Sequence, residues 1–114
     1  METIKIKRAT MTGLKEAEGE LMEAHGLQFC FTKTEEGLYF LIELSSGGSV
    51  LTVDSDDFTK KEAREIMKNA LQTKQLSDFQ KAISKFTKRS KRMFGIPFPV
   101  NEPVLSEKIS RKKK

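Results

Sequence analysis

Four stretches of the first half of the chain, residues 1–10, 27–34, 38–45 and 50–54, read as strands: residues 38–45 are the most apolar, and in residues 1–10 and 27–34 the apolar side chains recur with a period of two. That period is typical of a β-strand with one buried face. Between the last two stretches, Gly47 and Gly48 suit the positive φ angles of a type I′ hairpin turn. The pattern predicts a three-stranded antiparallel meander over residues 27–54, with residues 1–10 as an edge strand.

Residues 12–25 repeat their apolar side chains at helical spacing instead. One side of such a helix would carry Leu14, Ala17, Leu21 and Ala24, and the other side would expose Glu16, Glu18, Glu20 and Glu23. Gly26 follows at a position where helices often end in the left-handed conformation. The spacing therefore predicts a first helix between the edge strand and the meander.

The clearest helical signal lies over residues 58–71. Thr59 stands three residues before Glu62, which is the spacing of a capping box. Apolar residues then recur on one face, namely Ala63, Ile66, Met67, Ala70 and Leu71. A similar start at Ser77 and Gln80 predicts a last helix, which Gly95 and Pro97 would end.

These elements predict an α+β fold, in which a three- or four-stranded antiparallel sheet is packed on one face by helices in the order β-α-β-β-β-α-α. Residues 1–95 would form a single domain, and residues 96–114 would form a Pro-containing extended segment and a basic tail. The expected core consists of Leu14, Leu21, Phe29, Phe31, Phe40, Ile42, Val53, Ile66, Met67, Leu71, Phe79 and Ile83.

Composition argues against an enzyme. The chain of 114 residues has one histidine, His25, and one cysteine, Cys30, which cannot make a zinc site of the usual kind. His25 reads as a cation at a helix end, and Cys30 as a small buried hydrophobe. We predict no catalytic residue, no metal and no cofactor. The absence of a signal-peptide pattern and of an apolar membrane span predicts a cytoplasmic protein that does not enter a membrane.

Charge is strongly segregated along the chain. Residues 1–73 carry 9 Lys/Arg and 13 Asp/Glu, a net −4, whereas residues 74–114 carry 12 and 3, a net +9. On the last predicted helix, Lys81, Lys85, Lys88 and Arg92 fall on one stripe, flanked by Arg89 and Lys91. Segregation of this kind indicates a polyanionic partner. The predicted phosphate-binding residues are these six, with Lys60, Lys61 and Arg64 as a second patch.

Two stretches resemble known nucleic-acid-binding families. Residues 14–71, in the order helix, three strands, helix, resemble the double-stranded RNA-binding domain, whose second helix starts with a pattern that Lys60, Lys61 and Arg64 match. Residues 27–71 are similar to the arm-binding domain of tyrosine-type phage integrases, which often begin their helix with a run close to the Phe58–Ala63 sequence FTKKEA. The first resemblance implies a phosphate contact at the start of this helix, whereas the second implies that the sheet enters the major groove of DNA.

We therefore predict a small non-enzymatic accessory protein that binds DNA or RNA phosphates with little sequence preference. The alternative is a regulator or inhibitor of the viral or mobile-element type. It would bind an acidic or other protein partner through the Pro-containing segment 96–104 or the acidic first helix. The choice between DNA, RNA and protein stays open at this stage, as does the oligomeric state.

Overall fold

The computed structural model describes residues 3–10, 12–34 and 37–104. Its strands are β1 (Thr3–Thr10), β2 (Gly13–Ala24), β3 (Leu27–Lys33), β4 (Leu38–Glu43) and β5 (Ser49–Asp54), and its helices are α1 (Lys60–Thr73) and α2 (Leu76–Phe94). The sheet is antiparallel with the order β1-β2-β3-β4-β5, so neighbours in the chain are neighbours in the sheet. The predicted α+β class is confirmed.

The predicted helix over residues 12–25 is wrong, because this stretch is the strand β2. It pairs with β1 from Thr10↔Gly13 to Thr3↔Glu20, and its second half pairs with β3. His25 and Gly26 have φ angles of 54° and 76°, and two positive values are what a type I′ hairpin turn requires. The sheet therefore has five strands, and the element order is β-β-β-β-β-α-α.

Gly19 marks the place where β2 changes partners. The pairing of β2 with β3 stops at Glu20↔Phe31, whereas its pairing with β1 continues to Gly13. A Cβ atom at Gly19 would overlap the carbonyl group of Phe31 and lie 2.9 Å from Cys30 Sγ. Only glycine permits so close an approach between two strands.

Both faces of the sheet are buried. One face packs against the helices through the buried residues Met22, Phe29, Phe31, Tyr39, Leu41, Ala63, Met67, Leu71 and Phe79. The other face forms a second cluster from Ile4, Ile6, Cys30, Ile42 and Leu44. This cluster joins β1 to β3 and β4. The sheet is therefore curved, with β1 brought towards β3 and β4 on the face opposite the helices.

The predicted core is largely correct, but of the buried residues of the second cluster it contains only Ile42. Phe29, Phe31, Ile42, Met67, Leu71 and Phe79 are buried as expected. Leu14 and Ile66 are 39% and 37% exposed, so their assignment to the core is wrong. Leu14 lies next to the β1–β2 turn, outside both clusters, and Ile66 points away from the face of α1 that packs on the sheet.

The starts of the two helices differ in how well the sequence predicts them. The capping box of α1 is confirmed, since Glu62 N donates to Thr59 Oγ1 over 3.2 Å and Thr59 N donates to Glu62 Oε1 over 2.9 Å. Helix α2 begins at Leu76 with Gln75 as its N-cap, so the predicted capping box of Ser77 and Gln80 is wrong and its capping residue lies two positions too late. It ends at Gly95, which has a φ of 65°.

Residues 96–104 run back across the sheet. Val100 N donates to the carbonyl oxygen of Ser45 over 2.7 Å. The side-chain amide of Gln28 makes two hydrogen bonds with the backbone of Val104, of 2.8 Å and 2.7 Å. The predicted basic tail, residues 105–114, lies outside the described residues. Neither described helix is long and apolar enough to cross a membrane.

Candidate nucleic-acid interface

Helix α2 is fixed to the protein along one side. Phe79 is 2% exposed and packs in the helix-side core, where Ile83 joins it. Further along, Phe86 lies directly over the β4–β5 turn, where a Cβ atom at Gly48 would overlap the phenyl ring. Ser90 on the same side is 3% exposed. These four positions follow one another at helical spacing, so they determine which side of α2 faces outwards.

The outward side carries the basic stripe that the sequence predicts. Lys81, Lys85, Lys88 and Arg92 are all exposed, and the angle of about 100° per residue puts them opposite the packed side. Within the part of the chain that the structure describes, none of these four forms an ion pair. The stripe is therefore a continuous cationic surface of the molecule.

The two flanking residues of the stripe are in different environments. Lys91 is exposed like the stripe itself. Arg89 is half-buried, and its guanidinium carbon lies 5.3 Å from the centre of the Phe86 ring. That stacking holds the arginine side chain against the helix while its charge stays at the surface.

The three residues of the second predicted patch, at the start of α1, are in different environments. Lys60 and Lys61 are exposed. Arg64 is bound to Glu20 of β2 by two parallel hydrogen bonds, Nε to Oε2 at 2.8 Å and Nη2 to Oε1 at 2.7 Å. The bond from Arg64 lowers the pKa of the Glu20 carboxyl below its ordinary value. The arginine thus already has a carboxylate partner, and its main contact is with the sheet.

Helices α1 and α2 cover the same face of the sheet. Ala63 and Met67 of α1 belong to one buried cluster with Phe79 of α2. The outward sides of the two helices therefore belong to the same layer of the molecule. Lys60 and Lys61 lie in that layer together with the stripe on α2.

One flank of α2 borders an open groove of about 430 Å³. The groove is lined by Leu27, Ser45, Gln80, Ile83, Ser84, Thr87, Lys88 and Phe98, a set without a carboxylate. Phe98 is 55% exposed, the largest exposed fraction among the large hydrophobic residues described. Thr87 Oγ1 is buried and has no hydrogen-bond partner among the described residues. Lys88 belongs both to this groove and to the basic stripe.

Sequence reasoning missed this groove because its two walls are far apart in the chain. The sequence predicts residues 96–104 only as an extended segment, and nothing in the sequence places Phe98 beside α2. One signal was nevertheless present. Gln80, Ser84 and Thr87 recur at the same helical spacing as Lys81, Lys85 and Lys88, one position earlier in each case.

A second concave region lies on the sheet and was also missed. It has a volume of about 360 Å³ and is lined by Arg8, Lys15, Glu16, Ala17, Glu18, Thr32, Lys33 and Thr34. Arg8 lies 5.4 Å from the centre of the Phe40 ring, and Lys33 lies 5.8 Å from that of Tyr39. Its three cations share the region with two carboxylates. It is therefore less suited to a polyanion than the stripe on α2.

The single histidine and the single cysteine both have structural roles. His25 lies in the β2–β3 turn rather than at a helix end, and its Nε2 is 2.9 Å from the carbonyl oxygen of Leu71. Cys30 is fully buried, as expected, and this burial raises the pKa of its thiol to about 12. The thiol is thus protonated at neutral pH and behaves as a small apolar side chain.

Comparisons with known proteins find no relative of this chain. No protein-family model matches the chain, and no curated protein or solved structure matches it. The order of elements over residues 27–71 is strand, strand, strand, helix. Ahead of it stands β2, where the resemblance to the double-stranded RNA-binding domain places a helix.

Proposed function

We propose that this protein is a non-enzymatic nucleic-acid-binding accessory protein, whose helix α2 lies against the phosphate backbone. The observation that carries the proposal is the exposed stripe of Lys81, Lys85, Lys88 and Arg92 on the side of α2 opposite its packed side. Sequence-independent binding of nucleic acids comes mainly from cations that neutralise phosphates. A rigid helix that presents such cations at regular spacing is suited to this task.

The surroundings of the stripe support the proposal. Acidic residues are absent from Gln80 to Val100, so no neighbouring carboxylate in the sequence offsets the positive potential. Lys91 and the stacked Arg89 widen the cationic surface, and Lys60 and Lys61 add charge in the same layer. We assign Arg64 a structural role instead, because Glu20 already holds its guanidinium group. Binding would depend little on base sequence, since these cations reach phosphates and carry no base-reading pattern.

Fluorescence anisotropy with labelled DNA and RNA tests the proposal at about 50 mM and about 200 mM salt. Four to six neutralised phosphates give a log–log salt slope of about −4 to −5. The double substitution Lys85→Glu with Lys88→Glu is expected to weaken binding at least tenfold and to flatten the slope by about 2. Lys5→Glu with Lys68→Glu is the matched control, because it changes the net charge equally at two exposed residues outside the stripe.

Equal weakening by both double variants would mean that only net charge matters and would contradict a specific role for α2. Absence of binding to single strands and duplexes at low salt would contradict the function itself. The protein-binding regulator would then be the better proposal. Its acidic surface would be the exposed Glu16 and Glu18, which lie on one face of β2, since the acidic first helix does not form.

A further inference from the structure

We propose that the groove between α2 and residues 96–104 is a base-stacking site for single-stranded nucleic acid, with one base lying against Phe98. This inference rests on the proposed function and deepens it, because it names the form of nucleic acid. Proteins that bind single strands combine a cationic track for the backbone with aromatic rings on which bases stack. The groove and the stripe supply these two parts side by side.

The first step concerns Phe98 itself. A single exposed apolar side chain is normal on a protein surface, so Phe98 is informative because it lines a groove together with Leu27 and Ile83. Phe98 is 55% exposed, lines the groove and is held on a segment whose backbone is fixed by the bond from Val100 N to Ser45 O. The ring is thus presented to solvent from a position that the fold determines.

The second step concerns the opposite wall. Gln80, Ser84 and Thr87 line the groove along α2, and each is followed directly by a lysine of the stripe. A strand whose phosphates follow the lysines would therefore turn its bases towards a row of amide and hydroxyl groups. Thr87 Oγ1 itself is buried, so the polar groups that a base could reach along this wall are those of the exposed Gln80 and Ser84.

The third step concerns size and charge. The volume of about 430 Å³ lies within the range of about 300–1,000 Å³ that small-molecule sites occupy. The lining includes Lys88 and no carboxylate, which favours an anionic occupant. A duplex keeps its bases inside the helix, so its bases cannot enter this groove. We therefore expect a preference for single strands.

The test compares a short single-stranded oligonucleotide with a duplex of the same length, using the full chain at low salt. Phe98→Ala is expected to weaken single-strand binding by about 5- to 100-fold. It should leave duplex binding and the salt slope unchanged, because no phosphate contact is lost. Phe98→Tyr keeps an aromatic ring and should retain binding, whereas Phe98→Leu should not. Phe94→Ala is the matched control, since Phe94 is 37% exposed and does not line the groove.

A second readout reports stacking directly. An oligonucleotide with a single 2-aminopurine between thymines should lose emission when the base stacks on Phe98, and Phe98→Ala should abolish this quenching. If Lys85→Glu with Lys88→Glu weakens binding but Phe98→Ala does not, the groove proposal is overturned and the proposed function stands. If neither nucleic acid binds, both fail. An acidic Glu/Leu peptide whose binding alone is weakened by Phe98→Ala would assign the groove to a protein partner and overturn the proposal.

Discussion

At Gly19 the fold depends on the absence of a side chain. The strand β2 approaches β3 so closely there that a methyl group would overlap the Phe31 carbonyl. We expect Gly19→Ala to destabilise the protein by about 2 kcal/mol or more, because the backbone of β3 would have to move. Urea denaturation followed by circular dichroism measures this loss.

Gly26 provides the comparison for Gly19. It has a φ of 76° but nothing within 4 Å of a Cβ atom, so only the backbone conformation restricts it. Asparagine tolerates this conformation, and Gly26→Asn should change the free energy of unfolding by less than about 1 kcal/mol. A loss as large as that of Gly19→Ala would contradict the small cost expected for asparagine in this conformation at Gly26.

At the scale of elements, β2 explains where sequence reasoning failed. The spacing of Leu14, Ala17, Leu21 and Ala24 fits a helix, yet the glutamates at 16, 18 and 20 alternate with Ala17, Gly19 and Leu21. That alternation is the signal of a strand. Ala17 and Leu21 pack in one cluster, and Met22 and Ala24 pack in the other. Because β2 contributes apolar side chains to clusters on both faces of the sheet, these apolar residues do not keep a period of two along the strand. A helical spacing among them can then arise by chance.

The helices were predicted more accurately because their signals are local. The capping box at Thr59 and Glu62 involves residues three positions apart, and the end of α2 depends on Gly95 alone. The stripe on α2 was likewise visible from the spacing of its residues. The structure adds only that the stripe lies on the side of α2 opposite the packed side. The bond from Arg64 to Glu20 joins residues 44 positions apart, so no local pattern indicates it.

The pair of Arg64 and Glu20 ties α1 to β2 and should make stability depend on pH. Because folding lowers the pKa of Glu20, the pair stabilises the fold above the ordinary carboxyl pKa, and this stabilisation is lost as the pH falls through the folded pKa. We expect Glu20→Gln to cost about 1–2 kcal/mol at neutral pH. The difference from the wild type should shrink as the pH falls below the ordinary carboxyl pKa of about 4.3.

Urea denaturation at several pH values measures this dependence. Glu23→Gln is the matched control, since Glu23 lies in the same strand but is exposed and forms no ion pair among the described residues. A double-mutant cycle with Arg64→Met isolates the pair. A constant difference between Glu20→Gln and the wild type across the pH range would show that the ion pair contributes nothing.

For the molecule as a whole, the C-terminal segment has two roles, one in the fold and one in the proposed binding site. It places Phe98 beside α2, and three residues later it covers the edge of β1 that β2 leaves unpaired. Asn101 Oδ1 accepts a hydrogen bond from Lys7 N over 2.8 Å, while its Nδ2 donates to the carbonyl oxygens of Lys7 and Leu44 over 2.7 Å and 2.9 Å. Ala9 N, further along the same edge, donates to the Gly47 carbonyl over 2.7 Å. One side chain thus joins the edge strand β1 to the residue that follows β4.

Asn101→Ala should therefore affect both stability and association. We expect a loss of about 1–3 kcal/mol, because the substitution leaves three backbone groups without their partner. An edge strand with unpaired backbone groups can pair with another chain, so the variant should also self-associate more than the wild type as concentration rises. Denaturation measures the first effect, and light scattering coupled to size-exclusion chromatography measures the second. Glu102→Ala, at an exposed neighbour without a side-chain hydrogen bond among the described residues, is the control and should change neither. If Asn101→Ala lowered stability without any change in association, Asn101 would fasten the segment to the sheet but would not protect its edge.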